Sequence, residues 1–220
     1  MEGHQADQSL SSQSVSAFAE ALGSNAPTPG GGAASALVGA LAAALAEMVA
    51  RFTVGRAKYR EVEPQAQDIV QQAQEAREAL VALVAGDATA FQTVSAAYAL
   101  PKTGETERQA REAAIHDALQ QAMQPPLHTL RRSLAVMKLA REIAQIGNTT
   151  VLSDAACAAT IGEAAMRAAA LNVLANVALL AGDKMATAAL AEARAACDEA
   201  LHLRDETLTL VYQRMGVEDL

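Results

Sequence analysis

Tryptophan is absent from the 220 residues, and three tyrosines with three phenylalanines hold aromatics at 3%. A core organised on large rings is therefore excluded, and the interior must be filled by small aliphatic side chains that fit closely. Basic residues are outnumbered, 17 Lys plus Arg against 25 Asp plus Glu, for a net charge of −8. That is the wrong sign for a nonspecific phosphate-backbone binder, so no nucleic-acid partner is expected. The two cysteines, Cys157 and Cys197, lie far apart and form no CxxC or Cys/His ligand spacing, so no disulfide framework is expected. A reduced, cytoplasmic compartment fits this usage best. The four histidines, His4, His116, His128 and His202, do not cluster, and no HExxH, EF-hand, GxGxxG or GxSxG pattern occurs. Neither a metal site nor a Ser-His nucleophile is expected. The longest weakly apolar run, Ala33 to Ala46, falls short of the ~20 residues that cross a bilayer, and no membrane partner is expected. Met1 to Gln13 has neither the basic nor the apolar segment of a secretion signal and is expected to be a flexible polar tail, residues 1–13.

What the chain does have is alanine, about a quarter of its residues, with 51% hydrophobic and 19% charged. Alanine is the strongest helix former, and it lets helices approach closely. Strict alternation with β-branched residues is missing, as is any fixed repeat, so the expected fold is all-α: one compact bundle of about six long helices over residues 14–220. Proline and glycine set the boundaries. Helices are predicted from about Ser14 to Leu22, from Gly31 to Phe52, from Pro64 to Leu100, and from Glu105 to a break or kink at Pro125-Pro126. A further stretch follows to Ile146, another runs from an N-cap at Ser153 to Ala181, and the last runs from Gly182-Asp183 to Met215. Long Ala-rich helices with more than one apolar face need more burial than one such chain supplies, which predicts a homodimer.

Several constellations carry chemistry. Ala26-Pro27-Thr28-Pro29-Gly30-Gly31-Gly32 opens a helix on three glycines, exposing backbone N–H groups and a positive dipole end to an anion. The plainer reading is a tight connection between crossing helices. Of the four lysines, Lys58 and Lys102 sit beside structure breakers at helix ends, where they either reach a cleft or are simply solvated. Asp87 interrupts an apolar helix in phase with Leu80, Leu83, Val84 and Phe91, so it is expected to point inward. A buried carboxylate must be paired, or its pKa rises toward the range of general acid–base work. Asn148, Ser153 and Asp154 surround a helix start, and capping is the simplest account of the last two. Asn172 and Asn176 lie one turn apart in an apolar helix; burying both without partners would cost roughly 1–3 kcal/mol each.

In order and spacing these blocks resemble the cyclodeaminase/cyclohydrolase family of folate one-carbon enzymes. The matching pieces are Ala26 through Gly32, Glu47-Met48-Val49, Thr53-Val54-Gly55-Arg56-Ala57-Lys58-Tyr59 with Glu61-Val62-Glu63, Asp87-Ala88-Thr89-Ala90-Phe91, Leu100-Pro101-Lys102, Gly147 through Asp154 and Asn172 through Asn176. The resemblance implies an all-helical homodimer that takes a tetrahydrofolate derivative as substrate, with no tightly bound cofactor and Asp87 as the catalytic group. It also makes Gly30, Gly31, Gly32, Lys58, Lys102, Asn148, Ser153, Asp154, Asn172 and Asn176 substrate-site candidates. Family members are usually acidic two residues before the catalytic aspartate, where this chain has Ala85, so a single-carboxylate mechanism is implied. Hydrolysis of 5,10-methenyltetrahydrofolate is the expected activity. No fused formiminotransferase domain is expected, and the motifs look nearer those of the standalone cyclohydrolases. A cyclodeaminase and a non-catalytic helical assembly module are the alternatives.

Overall fold

The computed structural model of the protein describes residues 10–217. Seven α-helices and three short 3-10 turns account for nearly all of them, and no strand occurs among the described residues. The helices are α1 (Val15–Leu22), α2 (Gly31–Thr53), α3 (Glu63–Tyr98), α4 (Glu105–Ala122), α5 (Gln124–Ile146), α6 (Leu152–Leu179) and α7 (Lys184–Met215). The all-α bundle of six long helices stands, with α1 as a short seventh. Helix α2 lies at the centre against α3, α5 and α6, while α7 covers α5 and α6 and α4 packs on α3.

Alanine makes this centre possible. In α2, Ala33, Ala36, Ala40, Ala43 and Ala50 are almost fully buried and recur at helical spacing, so backbones rather than side chains set the helix separations. Gly39 carries this furthest, because a Cβ there would stand 2.8 Å from the Ser133 hydroxyl of α5. By length and composition α2 also passes for a membrane-crossing helix, with mean hydropathy 1.8, but 61% of that apolar window is buried in the bundle. A core helix has the same composition. A second apolar window within Ala57–Tyr98 is only 17% buried, which leaves much of the small-residue surface of α3 open.

The polar exceptions in the core are paired. Glu47 of α2 is 7% exposed and is held by Arg51 Nε at 2.8 Å and Arg77 Nε at 2.9 Å, which joins α2 to α3. These arginines keep its carboxyl below the usual range despite burial. At the far end of α2 the buried Thr53 hydroxyl donates to the Val49 carbonyl and accepts the Asn148 N–H at 2.9 Å, fastening the α5–α6 connection to α2.

Helix boundaries follow the expected punctuation, with one displaced cap. Ser14 caps α1 by accepting the Ala17 N–H, Asp183 caps α7 through Ala186, and α7 ends on Gly216 in the left-handed region at φ 69°. Ser153 does not cap α6. The chain instead enters that helix through a 3-10 turn, Thr149–Val151, whose Thr150 N–H is accepted by Asn148 Oδ1, so the capping group lies five residues upstream. Another 3-10 segment, Ala57–Val62, bridges α2 and α3. Of the tail expected over residues 1–13, residues 1–9 lie outside the described residues, and Leu10–Ser12 form a turn whose Leu10 packs near Phe18.

Candidate active site

The start of α2 meets the middle of α3 at Asp87. Its Oδ2 accepts the Ala33 N–H at 3.0 Å, so the carboxylate takes one of the donors that every helix start leaves without an intrahelical acceptor. The preceding N–H groups of Gly31 and Gly32 add to the positive end of the α2 dipole beside it. This approach requires glycine at 32: a Cβ there would overlap the carboxylate, 2.6 Å from Oδ2. Burial pushes the Asp87 carboxyl above its ordinary pKa, and the single Ala33 N–H pulls it down by less. The inward phase expected from Leu80, Leu83 and Val84 is met, although Phe91 itself is 45% exposed.

Asp87 opens into a cavity of about 270 Å³, lined on one side by Pro27, Thr28, Gly30, Gly31 and Gly32 and on another by Asn172, Ala175 and Asn176 of α6. Phe91 of α3 and Leu119 and Ala122 of α4 complete its apolar wall. The asparagine orientations are set by what they touch. Asn176 Nδ2 donates to the Asn172 carbonyl at 3.0 Å and to the Ala122 carbonyl at 3.5 Å, and Asn172 Nδ2 donates to the Ala168 carbonyl at 2.9 Å. Each amide thus spends N–H on backbone and keeps its Oδ1 as a free acceptor. Among the described residues no Lys, Arg or His lines the cavity. Its polar equipment is a carboxylate with raised proton affinity, two amide oxygens and a glycine-rich helix start. Such a set stabilises a bound cation, or takes a proton from a molecule attacking one.

Six of the candidate residues therefore come together: Gly30, Gly31, Gly32, Asp87, Asn172 and Asn176. The other five do not join them within this chain. Helix α2 is 23 residues, roughly 34 Å at 1.5 Å per residue, and its distal end carries a second polar corner. There the Thr149 N–H donates to the Tyr59 hydroxyl at 3.1 Å, and Lys58 Nζ lies 5.3 Å from the Tyr59 ring centre. The Thr149 contacts, with a smaller contribution from Lys58, lower the pKa of that phenol. Asn148 is occupied structurally, donating from Nδ2 to the Phe52 carbonyl and accepting from Thr150. Ser153 and Asp154 fall in the first turn of α6 beside it, and Lys102 lies in the turn between α3 and α4, fifteen residues beyond Asp87. The sequence reading missed the α4 wall and the role of Phe91, whose signal was its place one turn after Asp87 on the same face.

This fold and cavity define an all-helical protein with a carboxylate at a glycine-floored cavity, and its relatives are named as enzymes that act on carbon–nitrogen bonds. A sequence model of the formiminotransferase-cyclodeaminase family matches residues 14–195, and the chain belongs to that family. It is 42% identical over 164 residues to the methenyltetrahydrofolate cyclohydrolase of Methylorubrum extorquens, an alignment covering 74% of this chain and 79% of that protein. It is 36% identical to the rat formimidoyltransferase-cyclodeaminase over 78% of this chain, but spans only 32% of that longer protein. Among solved structures, the formiminotetrahydrofolate cyclodeaminase of Thermotoga maritima superposes with a TM-score of 0.75 at 30% identity, over 93% of this chain and 96% of that one.

Proposed function

We propose that the protein hydrolyses 5,10-methenyltetrahydrofolate to 10-formyltetrahydrofolate. The observation that carries this reading is Asp87: a half-buried carboxylate with no cationic neighbour among the described residues, at a glycine-floored cavity. The methenyl bridge is an amidinium carbon bearing positive charge, the partner such a carboxylate lacks. Asp87 takes a proton from water as its oxygen bonds to that carbon, giving a tetrahedral adduct. The carbon–N5 bond then breaks, N5 receives the proton held by Asp87, and the hydroxyl loses its own proton to solvent as the N10-formyl carbonyl forms. The raised proton affinity of Asp87 suits both transfers. The Oδ1 atoms of Asn172 and Asn176 accept from the 2-amino and N3–H donors of the pterin.

The cyclodeaminase reaction is the second reading, favoured by the names of the rat and Thermotoga relatives. In it N10 attacks the formimino carbon of 5-formiminotetrahydrofolate and ammonia leaves, again through a tetrahedral carbon beside Asp87. Identity is higher to the Methylorubrum cyclohydrolase than to the rat protein, 42% against 36%. The expected result is rapid loss of the methenyl absorbance when enzyme is added, with little ammonia released from formiminotetrahydrofolate; the reverse pattern assigns the second activity.

We further read the working unit as a homodimer. The outer face of α2 is apolar along its length, with Leu41 and Phe52 53% and 44% exposed and the partly buried Leu45 and Met48 between them. Neighbouring α6 exposes Leu171 and Leu174. A second copy is the occupant that covers such a face by self-complementarity. If the copies pack antiparallel, the Lys58–Tyr59 corner of one approaches the cation-free cavity of the other. Sedimentation at micromolar concentration is expected to give twice the chain mass, and a monomer mass overturns this reading.

A further inference from the structure

Helix α4 gives the Asp87 cavity part of its apolar wall, Leu119 and Ala122, yet it is the least embedded of the long helices. Within it only Ala118 and Leu119 are buried. Its first turns are tied to α3, where the Arg111 guanidinium donates to the Tyr98 carbonyl at 3.1 Å. Its last turns, which carry the wall, meet the turn between α6 and α7 at Asp183. There Oδ2 accepts from Gln120 Nε2 at 2.8 Å and lies 3.2 Å from His116 Nε2. A second polar link, from Asn176 to the Ala122 carbonyl, is 3.5 Å long and correspondingly weak.

Asp183 divides its two oxygens between two helices. Oδ1 accepts the Ala186 N–H at 2.9 Å and caps α7, while Oδ2 faces α4. The side chain is only 11% exposed, which favours a strong contact. Two other charged groups stand near it: Asp117, whose Oδ1 is 3.8 Å from His116 Nδ1, and Lys184, which lines the same surface hollow as His116 and Asp183. The Ala186 N–H, then Gln120, hold the Asp183 carboxyl below its ordinary pKa. It therefore stays an ionised acceptor at pH values where Asp87, pushed up by burial, takes its proton. Leu179, one turn of chain before Asp183, lines the Asp87 cavity, so the contact joins α4 to the end of α6 at the cavity's rim.

Building on the reading of Asp87 as the proton acceptor, we propose that Asp183 is a positioning residue for the reaction: by holding Gln120 and His116 it seats Leu119 and Ala122 against the cavity and keeps bulk water from the Asp87 carboxylate. No other titratable side chain lines the cavity among the described residues, so the dryness of its walls, opposed by the Ala33 N–H, sets the basicity of Asp87. A carboxylate open to bulk water loses the proton affinity that burial confers and is the weaker base.

The contact can be cut from either side. His116→Ala/Gln120→Ala removes both α4 partners, leaves the α7 cap intact and raises the helix propensity of α4. Asp183→Ser keeps a capping oxygen for Ala186 but is too short to reach Gln120. Amide hydrogen exchange over residues 115–122 of α4 is expected to be at least ~10-fold faster in each, the scale of losing a hydrogen bond to a charged group. The triple variant is expected to be no faster than either, since both changes remove one contact. The Asp87 carboxyl, followed through its side-chain carbon by NMR, is expected to titrate at lower pH in each variant, and the acid limb of kcat/KM for 5,10-methenyltetrahydrofolate to move with it. Wild-type exchange in both variants, additive effects in the triple variant, or faster exchange with an unmoved Asp87 titration overturns the proposal. Exchange and titration need no turnover, so they decide the role of Asp183 even where the wild type proves inactive on this substrate and the reaction assigned above fails.

Discussion

Asp87→Asn is expected to keep the fold and to lower turnover by at least ~10²-fold, the scale of losing a general base. Asparagine has the same shape, and its Oδ1 can still accept the Ala33 N–H that fixes the aspartate. It cannot take a proton from water. The effect on stability runs the other way. Burial raises the Asp87 pKa in the folded state, so between the unfolded and folded pKa values the folded chain binds more protons. Stability falls as pH rises through that window, and the ionised form at neutral pH is the destabilised one. Removing the charge is therefore expected to leave Tm at neutral pH equal or higher, while the folate KM changes little. A variant that loses both Tm and activity would instead make Asp87 a structural cap of α2.

Gly32→Ala is expected to do comparable damage to the rate for a different reason. The added methyl overlaps the Asp87 carboxylate, so either the carboxylate swings away or the start of α2 shifts. Overpacking of this kind costs about 1–3 kcal/mol. Replacing a helical glycine with alanine would otherwise stabilise by up to about 1 kcal/mol, so the sign of the Tm change separates the clash from helix propensity. In Gly32→Ala/Asp87→Ala the clash has no partner. The double variant is expected to recover Tm relative to Gly32→Ala without recovering turnover. A Gly32→Ala enzyme with wild-type turnover would show that the carboxylate does not need its seat against α2.

Asp87 and the start of α2 belong to the part of the molecule that is most legible in sequence. The helix starts at Ser14, Gly31 and Asp183 and the break before Pro125-Pro126 follow from local chemistry, capping and loss of a backbone donor, which needs no knowledge of the fold. Asp87 is similar, because phase on an apolar helix states which way a side chain points. Position 153 shows where local reasoning stops. Ser153 and Asn148 are both good caps, and the choice was made by the 3-10 turn and by Thr53, which lies 95 residues from Asn148 and holds its backbone N–H.

The candidate site divides along the same line. Gly31 and Asn172 are 141 residues apart, and no spacing rule makes them neighbours; they meet because α2 and α6 pack through alanine. The reverse holds for Lys58 and Asn148, which sequence motifs group with Asp87 but which the length of α2 places at the opposite end of the bundle. The α4 contribution, Leu119 and Ala122, carried no sequence signal, since ordinary apolar residues become a cavity wall only by where their helix docks.

The account rests on a solvent-poor carboxylate serving as the proton acceptor, and the pH dependence of kcat on 5,10-methenyltetrahydrofolate tests it most directly. An acid limb is predicted, with activity rising as Asp87 ionises at a pKa above the ordinary aspartate value of 3.8, and that limb is absent from the residual activity of Asp87→Asn. The same limb in both enzymes, or none in the wild type, would contradict the assignment of Asp87 as the base.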